Sequence, residues 1–224
     1  MGAGVRGRAW AWWGVVSVAL FAVASLWPFP AVSEADQDDP ERLVDTLSGH
    51  ETEFFVRNGI SWWAAGAFLI FVVGLHRHLV THHDEGSMVP GVALVGGAVT
   101  GAGMFAGYGL LAAIGGAVLS DRPATTVASV YSVGDGLAYS LWTPIGLVCG
   151  AVALAGLRGR GVPRWLGRVS AVFAVLFAGL AFFPFLSWFP GLLWVLTASL
   201  GLLFGTVSDQ PDPAHPGGSE TITG

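Results

Sequence analysis

One carboxylate stands at the edge of a long apolar segment, in Val133-Gly134-Asp135-Gly136. Charges within membrane spans are costly to bury and frequently serve ions, protons or polar solutes. Tyr139 lies four residues beyond Asp135 on the same predicted helix, and either Arg122 or Arg57 can supply a counter-charge. The alternative is a structural role. A carboxylate in the first turn of the fourth helix accepts hydrogen bonds from free backbone N–H groups and complements the helix dipole.

A second group of residues has metal-binding chemistry. His78 and His82 are four residues apart and share a face if the second helix continues through them, a spacing that can hold zinc. The polar neighbours that could complete such a site are His76, His83, Asp84 and Glu85. They form a polar loop without a second ligand cluster elsewhere in the sequence, so we favour a solvated loop and expect no cofactor.

Glycine dominates the third apolar segment, which contains nine glycines between Val89 and Leu119. Two pairs, Gly97 with Gly101 and Gly103 with Gly107, have the four-residue spacing that lets membrane helices approach closely. The spacing predicts a central helix packed tightly by its neighbours. A flexible or pore-lining helix is the alternative.

The composition determines which elements must position these residues. Of the 224 residues, 53% are hydrophobic and 11% are charged, whereas soluble domains carry about 25% charged residues. Lipid must therefore solvate much of the chain, and the predicted fold is an all-α polytopic transmembrane bundle. Six spans are predicted, at about residues 9–27, 56–75, 89–119, 133–157, 165–184 and 189–207. They form a single domain, 1–207, followed by a disordered tail, 208–224, rich in Pro and Gly.

An acidic loop, 28–57, separates the first two spans. Asp39-Pro40-Glu41-Arg42 is a typical helix start, with Asp39 as N-cap and Pro40 at the first position. It predicts a helix along the membrane surface that breaks near Gly49. A cleaved signal peptide is the competing account of the first span, with cleavage near Ser33-x-Ala35.

Arginine placement predicts the orientation. All ten basic residues are arginine, and seven of them lie on one side of the predicted spans. These seven are Arg6, Arg8, Arg77, Arg158, Arg160, Arg164 and Arg168. By the positive-inside rule, this side and both chain termini are cytoplasmic, in the plasma membrane.

Two short motifs carry a resemblance. They are Gly74-Leu75-His76-Arg77-His78-Leu79, which follows the acidic loop, and Gly161-Val162-Pro163-Arg164-Trp165-Leu166-Gly167, which precedes the fifth span. With the order of the spans, they resemble a large group of uncharacterised bacterial multi-helix membrane proteins known only as domains of unknown function. The resemblance covers most of the chain and implies architecture alone.

Three classes of function follow. The expectation we place first is a non-enzymatic accessory or sensory membrane subunit, since the sequence has no Walker A, H-E-x-x-H or G-x-S-x-G motif. A small transporter or channel using Asp135 and the third helix is the first alternative. A membrane enzyme or metal carrier using the His76–His83 loop is the second. The expected partners are the lipid bilayer and other membrane proteins, not nucleic acid.

Overall fold

The computed structural model describes residues 8–28, 32–119 and 122–205; the predicted disordered tail, 208–224, lies outside this range. The described residues form helices and turns and contain no β-strand. The α-helices are α1 (Trp12–Leu26), α2 (Glu34–Gln37), α3 (Pro40–Leu47), α4 (Glu51–Val80), α5 (Met88–Leu119), α6 (Ala124–Ser140), α7 (Ile145–Leu157), α8 (Arg164–Leu180) and α9 (Trp188–Phe204). Two 3-10 helices, Ala9–Ala11 and Pro184–Leu186, precede α1 and α9.

The predicted fold class is confirmed. Within the described residues, five segments are long and apolar enough to cross a bilayer: Ala9–Leu26, Glu51–Val80, Met88–Val118, Ala124–Leu157 and Pro184–Phe204. The remaining long helix, α8, has 17 residues and carries two arginines near its start, and it packs against α7. The chain is a multi-pass helical bundle of about six spans.

The bundle is held together by contacts between helices that are near in sequence and by packing of the last helix on the first. α4 packs on α1 and α5, α5 packs on α6 and α7, and α9 returns to α1 and α8. Buried hydrogen bonds cross between the described helices: Ser17 Oγ donates to the Ala64 carbonyl at 2.8 Å, and Trp194 Nε1 donates to Ser170 Oγ at 3.1 Å. Such bonds stabilise helix pairs where lipid replaces water, because unpaired polar groups are costly there.

The two glycine pairs of α5 face different neighbours. A Cβ atom built on Gly97 or Gly101 would overlap a side chain of α4, Val72 or Leu69 respectively. On Gly103 it would overlap Leu141, just after α6, and on Gly107 it would meet the Ala138 backbone. α5 is therefore packed at close range against α4 over one half and against α6 and the following turn over the other.

One end of the bundle, here called the arginine-rich end, holds Arg8, Arg77, Arg158, Arg160, Arg164 and Arg168. Arg8 donates to the carbonyls of Leu202 and Gly205 at 3.2 and 3.1 Å, which joins the start of the first span to the end of the last. Arg160 forms an ion pair of 2.8 Å with Asp84. The described arginines before α1, in the last turn of α4, just after α7 and at the start of α8 therefore share one end.

The opposite end, here called the acidic end, holds the segment 32–53. The predicted N-cap is confirmed: Asp39 Oδ1 accepts from the amides of Glu41 and Arg42 at 3.1 and 3.4 Å, with Pro40 in the first turn. The predicted break is also present, because Gly49 adopts φ +82° between α3 and α4. The apolar face of α3 buries Leu43 and Leu47 in a cluster with Phe54, Ile114 and Val127. This helix therefore packs against α4, α5 and α6.

Beside α3, a reciprocal cap starts α2. Ser33 donates its backbone N–H and its hydroxyl to Asp36 Oδ2 at 2.9 and 2.6 Å, and the Asp36 amide donates back to Ser33 Oγ at 3.2 Å. These bonds from Ser33, with Arg42 3.5 Å away, hold the pKa of Asp36 below its usual range.

Candidate functional site

A cavity of about 230 Å³ opens in the acidic half of the bundle. α1, α4, α5, α6 and α9 line it, together with the turn that follows α6. Its walls are formed by Phe21, Ala24, Ser25, Phe54, Arg57, Asn58, Ser61, Tyr108, Leu111, Tyr131, Asp135, Tyr139, Trp142, Trp188 and Leu192. Only two of these residues are charged, and they have opposite signs.

Asp135 lies in the second half of α6, not in the first turn of a helix as one of the predictions had it. α6 begins at Ala124 after Pro123, so Asp135 is its twelfth residue and cannot cap the first turn. The hydropathy of 124–132 is too low to mark a span. The segment is nevertheless helical because Val127, Ala128 and Tyr131 are buried against the bundle. The predicted start of the fourth span, at Val133, is therefore nine residues beyond the start of the helix.

Three α6 side chains form one wall of the cavity. Tyr131, Asp135 and Tyr139 are spaced by four residues, so they lie on one face of the helix. The structure thus brings together two of the residues that the sequence singled out, Asp135 and Tyr139. The third, Arg122, does not line the cavity: its side chain is exposed before α6, and its amide donates to Ala117 at 3.2 Å. Arg122 is too far along the chain from the twelfth residue of α6 to approach it.

The positive charge comes instead from α4. Arg57 lines the cavity together with Tyr139 and interacts electrostatically with Asp135. Arg57 lies at the edge of the predicted second span, 56–75, but well inside α4, which extends back to Glu51. One residue further on, Asn58 is buried and donates its amide to the Phe54 carbonyl at 2.9 Å.

Aromatic rings make up nearly half of the lining, with seven of the fifteen side chains. Phe21 contacts Tyr108 and Trp142 with ring centroids 5.6 and 5.5 Å apart, and Tyr139 contacts Trp188 at 6.0 Å. These contacts connect α1, α5, α6 and α9 around the cavity. The walls therefore present ring surfaces between the two charged groups.

The floor of the cavity is the helix break at 141–144. Trp142 lies in this turn with 1% of its surface exposed, and its indole N–H has no hydrogen-bond acceptor among the described residues. The Tyr108 side chain lies nearby without meeting hydrogen-bond geometry. Burying an unpaired donor costs about 1–3 kcal/mol, so an acceptor that reached this N–H from the cavity would stabilise the bundle.

The break itself is held in place by polar contacts. Thr143 Oγ1 donates to the Ser140 carbonyl at 3.1 Å, and Ser187 Oγ donates to the Tyr139 carbonyl at 3.2 Å. These bonds satisfy carbonyls that the end of α6 leaves without intrahelical partners, and they join the break to the start of α9. Below it, Phe68 and Ile145 are fully buried in the main core, which closes the cavity toward the arginine-rich end.

The side chains of His78 and His82 form hydrogen bonds with backbone carbonyls. The rings of His78 and His82 have centroids 4.4 Å apart and planes tilted by 45°, so the predicted shared face exists. However, His78 Nε2 is bonded to the Gly161 carbonyl, and His82 Nδ1 to the His78 carbonyl, both at 2.8 Å. Within the described residues, no three His, Cys, Asp or Glu side chains are grouped to hold a metal ion.

Sequence reasoning missed several lining residues, notably Asn58, Tyr108, Tyr131 and Trp142. One signal was present: Tyr131 and Tyr139 lie one turn on either side of Asp135, which marks a polar stripe on an otherwise apolar helix. No such signal marks Trp142, because its burial depends on how the helix breaks.

Comparison with models of known protein families, with curated proteins and with solved structures finds no match to this chain. The functional interpretation therefore depends on the geometry of the cavity.

Proposed function

We propose that this chain is a non-enzymatic sensory or accessory protein of the plasma membrane that binds a small polar solute in the cavity. One observation carries the proposal: the cavity places Asp135, Arg57 and the unpaired Trp142 N–H inside a bundle of apolar helices. Burying charged and hydrogen-bonding groups costs free energy. Arg57 and Asp135 offset part of this cost for each other, and a bound polar molecule or water can compensate the remainder. A solute that pairs with these groups is stabilised by several interactions at once.

The orientation supports access from outside the cell. Six arginines of the described residues share the arginine-rich end, and the positive-inside rule makes that end cytoplasmic. Both chain termini are then cytoplasmic as well. The acidic end, with the cavity beside it, faces the exterior. Solutes from the surroundings reach the cavity without crossing the bilayer.

The packing below the cavity favours sensing over conduction. Trp142, Phe68, Phe71 and Ile145 fill the bundle between the cavity and the arginine-rich end, each with 1% or less of its surface exposed. A channel needs a continuous polar path through this region. Binding at the floor instead alters the helix break at 141–144, which adjoins α5, α7 and the start of α9. Movement of these helices can be transmitted to a partner membrane protein.

A small transporter is the second candidate, and the helix break favours it. Many transporters bind substrates beside interrupted helices near the middle of the membrane. The α6–α7 segment is interrupted at 141–144, at the floor of the cavity. Transport requires a second conformation open to the arginine-rich end. Uptake of a bound solute into sealed vesicles distinguishes the two candidates.

The experiment that tests binding is thermal unfolding of the purified protein in detergent with a panel of polyols, zwitterions, organic cations and carboxylates. A ligand that binds the native state raises its Tm. We expect at least one class to raise the Tm of the wild type and to have no effect on Ser61→Phe, whose ring fills the cavity. Ser129→Phe, at an exposed position of α6, should retain the response. If no class raises the Tm, or if Ser61→Phe responds as the wild type does, the proposal fails.

A further inference from the structure

We infer that the solute is a small zwitterion carrying both an ammonium and a carboxylate group, such as an α-amino acid or a betaine. This inference rests on the proposed function and names the chemical class of its ligand. It is carried by the opposite charges of Arg57 and Asp135 in one aromatic-lined cavity, together with the unpaired donor of Trp142.

The two charges select against singly charged ligands. An organic cation would gain the attraction of Asp135 but also the repulsion of Arg57, and a carboxylate would have the reverse problem. A zwitterion pairs each of its charges with the opposite charge of the protein. Charge-assisted hydrogen bonds of this kind are about twice as strong as those between neutral groups. The remaining lining residues are uncharged, so nothing else in the cavity offsets this selection.

The positions of the groups also orient the ligand. Tyr131 and Tyr139 flank Asp135 by one turn on α6, and aromatic ring faces attract ammonium groups. The ammonium therefore binds at the α6 wall. The carboxylate binds toward α4 and the floor, where the Arg57 guanidinium and the Trp142 indole N–H are donors. The ligand thereby supplies the acceptor that the buried indole lacks within the described part of the chain.

The cavity limits the ligand to a small molecule. Its volume of about 230 Å³ is below the range of about 300–1,000 Å³ that is typical of pockets for drug-sized ligands. Peptides and phospholipid head groups with attached chains are too large to be enclosed. Single amino acids and betaines fit this limit.

Isothermal titration calorimetry of the full-length protein in detergent tests the inference with two matched sets of probes. The first set is trimethylglycine, choline, which lacks the carboxylate, and 3,3-dimethylbutyrate, which lacks the positive charge. The second set is L-alanine, ethylamine and propionate. We expect at least one zwitterion to bind tenfold or more tightly than both of its single-charge analogues. Equal binding by an analogue, or binding by neither zwitterion, would overturn the inference. If a polyol raises the Tm while neither zwitterion binds, the proposed cavity function stands and the ligand class is wrong.

Two charge-neutralising variants test the assignment of each end. Asp135→Asn should weaken zwitterion binding tenfold or more while improving binding of the matched carboxylate, because the repulsive charge is gone. Arg57→Gln should weaken zwitterion binding similarly while improving binding of the matched cation. A structural defect alone would weaken all probes together. Should Arg57→Gln fail to fold, Trp142→Phe removes one carboxylate donor and should weaken the zwitterion and the carboxylate but not the cation. Parallel losses for all probes would contradict the assignment.

Discussion

Gly107 of α5 lies directly against Ala138 of α6. A Cβ atom on Gly107 would stand 2.5 Å from the Ala138 backbone nitrogen and 2.8 Å from its Cα. Tyr108 follows Gly107, and Tyr139 follows Ala138, so this contact sets the separation of two walls of the cavity. The helix packing and the geometry of the proposed binding site are therefore parts of one arrangement.

Replacing Gly107 by Ala should destabilise the bundle. The added methyl group must displace the α6 backbone, and overpacking of this kind costs about 1–3 kcal/mol. The intrinsic gain of Ala over Gly in a helix is about 1 kcal/mol and offsets only part of that cost. Gly91→Ala is the matched control on α5, because nothing lies within 4 Å of its added Cβ. Thermal unfolding in detergent should give a lower Tm for Gly107→Ala and an equal or higher Tm for Gly91→Ala. A higher Tm for both variants would show that α6 moves aside without loss of stability, which would contradict the prediction.

Removing the N-cap of α3 should loosen the surface helix at the acidic end. Asp39→Ala loses the acceptor for two backbone amides, a change that typically costs about 1 kcal/mol. Asp39→Asn keeps an acceptor and should behave nearly as the wild type. Hydrogen–deuterium exchange of Pro40–Leu47 measures the effect, and faster exchange is expected in the Ala variant only. Equal protection in all three proteins would mean that burial of Leu43 and Leu47 alone maintains the helix.

His78→Ala should reduce stability more than His82→Ala. His78 joins the end of α4 to the Gly161 carbonyl, 83 residues away. The hydrogen bonds of His82 within the described residues are local, to Thr81 and to the His78 carbonyl. A net hydrogen bond contributes about 0.5–1.5 kcal/mol. The two variants should therefore differ in Tm in that order. Stoichiometric zinc in the purified wild type, lost in both variants, would contradict this structural role and favour the metal-carrier hypothesis.

The sequence predicted much of the fold because its main signals are local. Low charge and long apolar segments require a transmembrane bundle, and Asp39 followed by Pro40 determines a helix start through contacts within one turn. Length also requires the second span to include residues before the apolar run, as in the predicted 56–75, and α4 indeed starts at Glu51.

The site was less predictable because it depends on contacts between distant segments. Hydropathy could not show that α6 begins at Ala124, since that stretch is stabilised by packing on α3 and α5 rather than by its own apolar character. Asp135 was consequently assigned to a first turn. Arg57 and Arg122 were equivalent candidates in the sequence, and only the packing of the helices places Arg57 in the cavity. Burial of Trp142 depends on Phe21 of α1, Phe68 of α4 and Gly191 of α9, which are far apart in the sequence.

The most direct test of the account asks whether the cavity opens to the exterior. In a Cys149→Ala background, Ser61→Cys places one thiol in the cavity wall, where the native side chain is 4% exposed. Intact cells are treated with a small, charged, membrane-impermeant methanethiosulfonate. Ser48→Cys at the acidic end serves as the positive control, and Ser87→Cys near the arginine-rich end as the negative control. Ser199→Cys, buried outside the cavity, reports nonspecific access. We predict labelling of Ser61→Cys and Ser48→Cys only. If Ser61→Cys reacts only after permeabilisation or denaturation, the cavity is not open to the outside and the account is wrong.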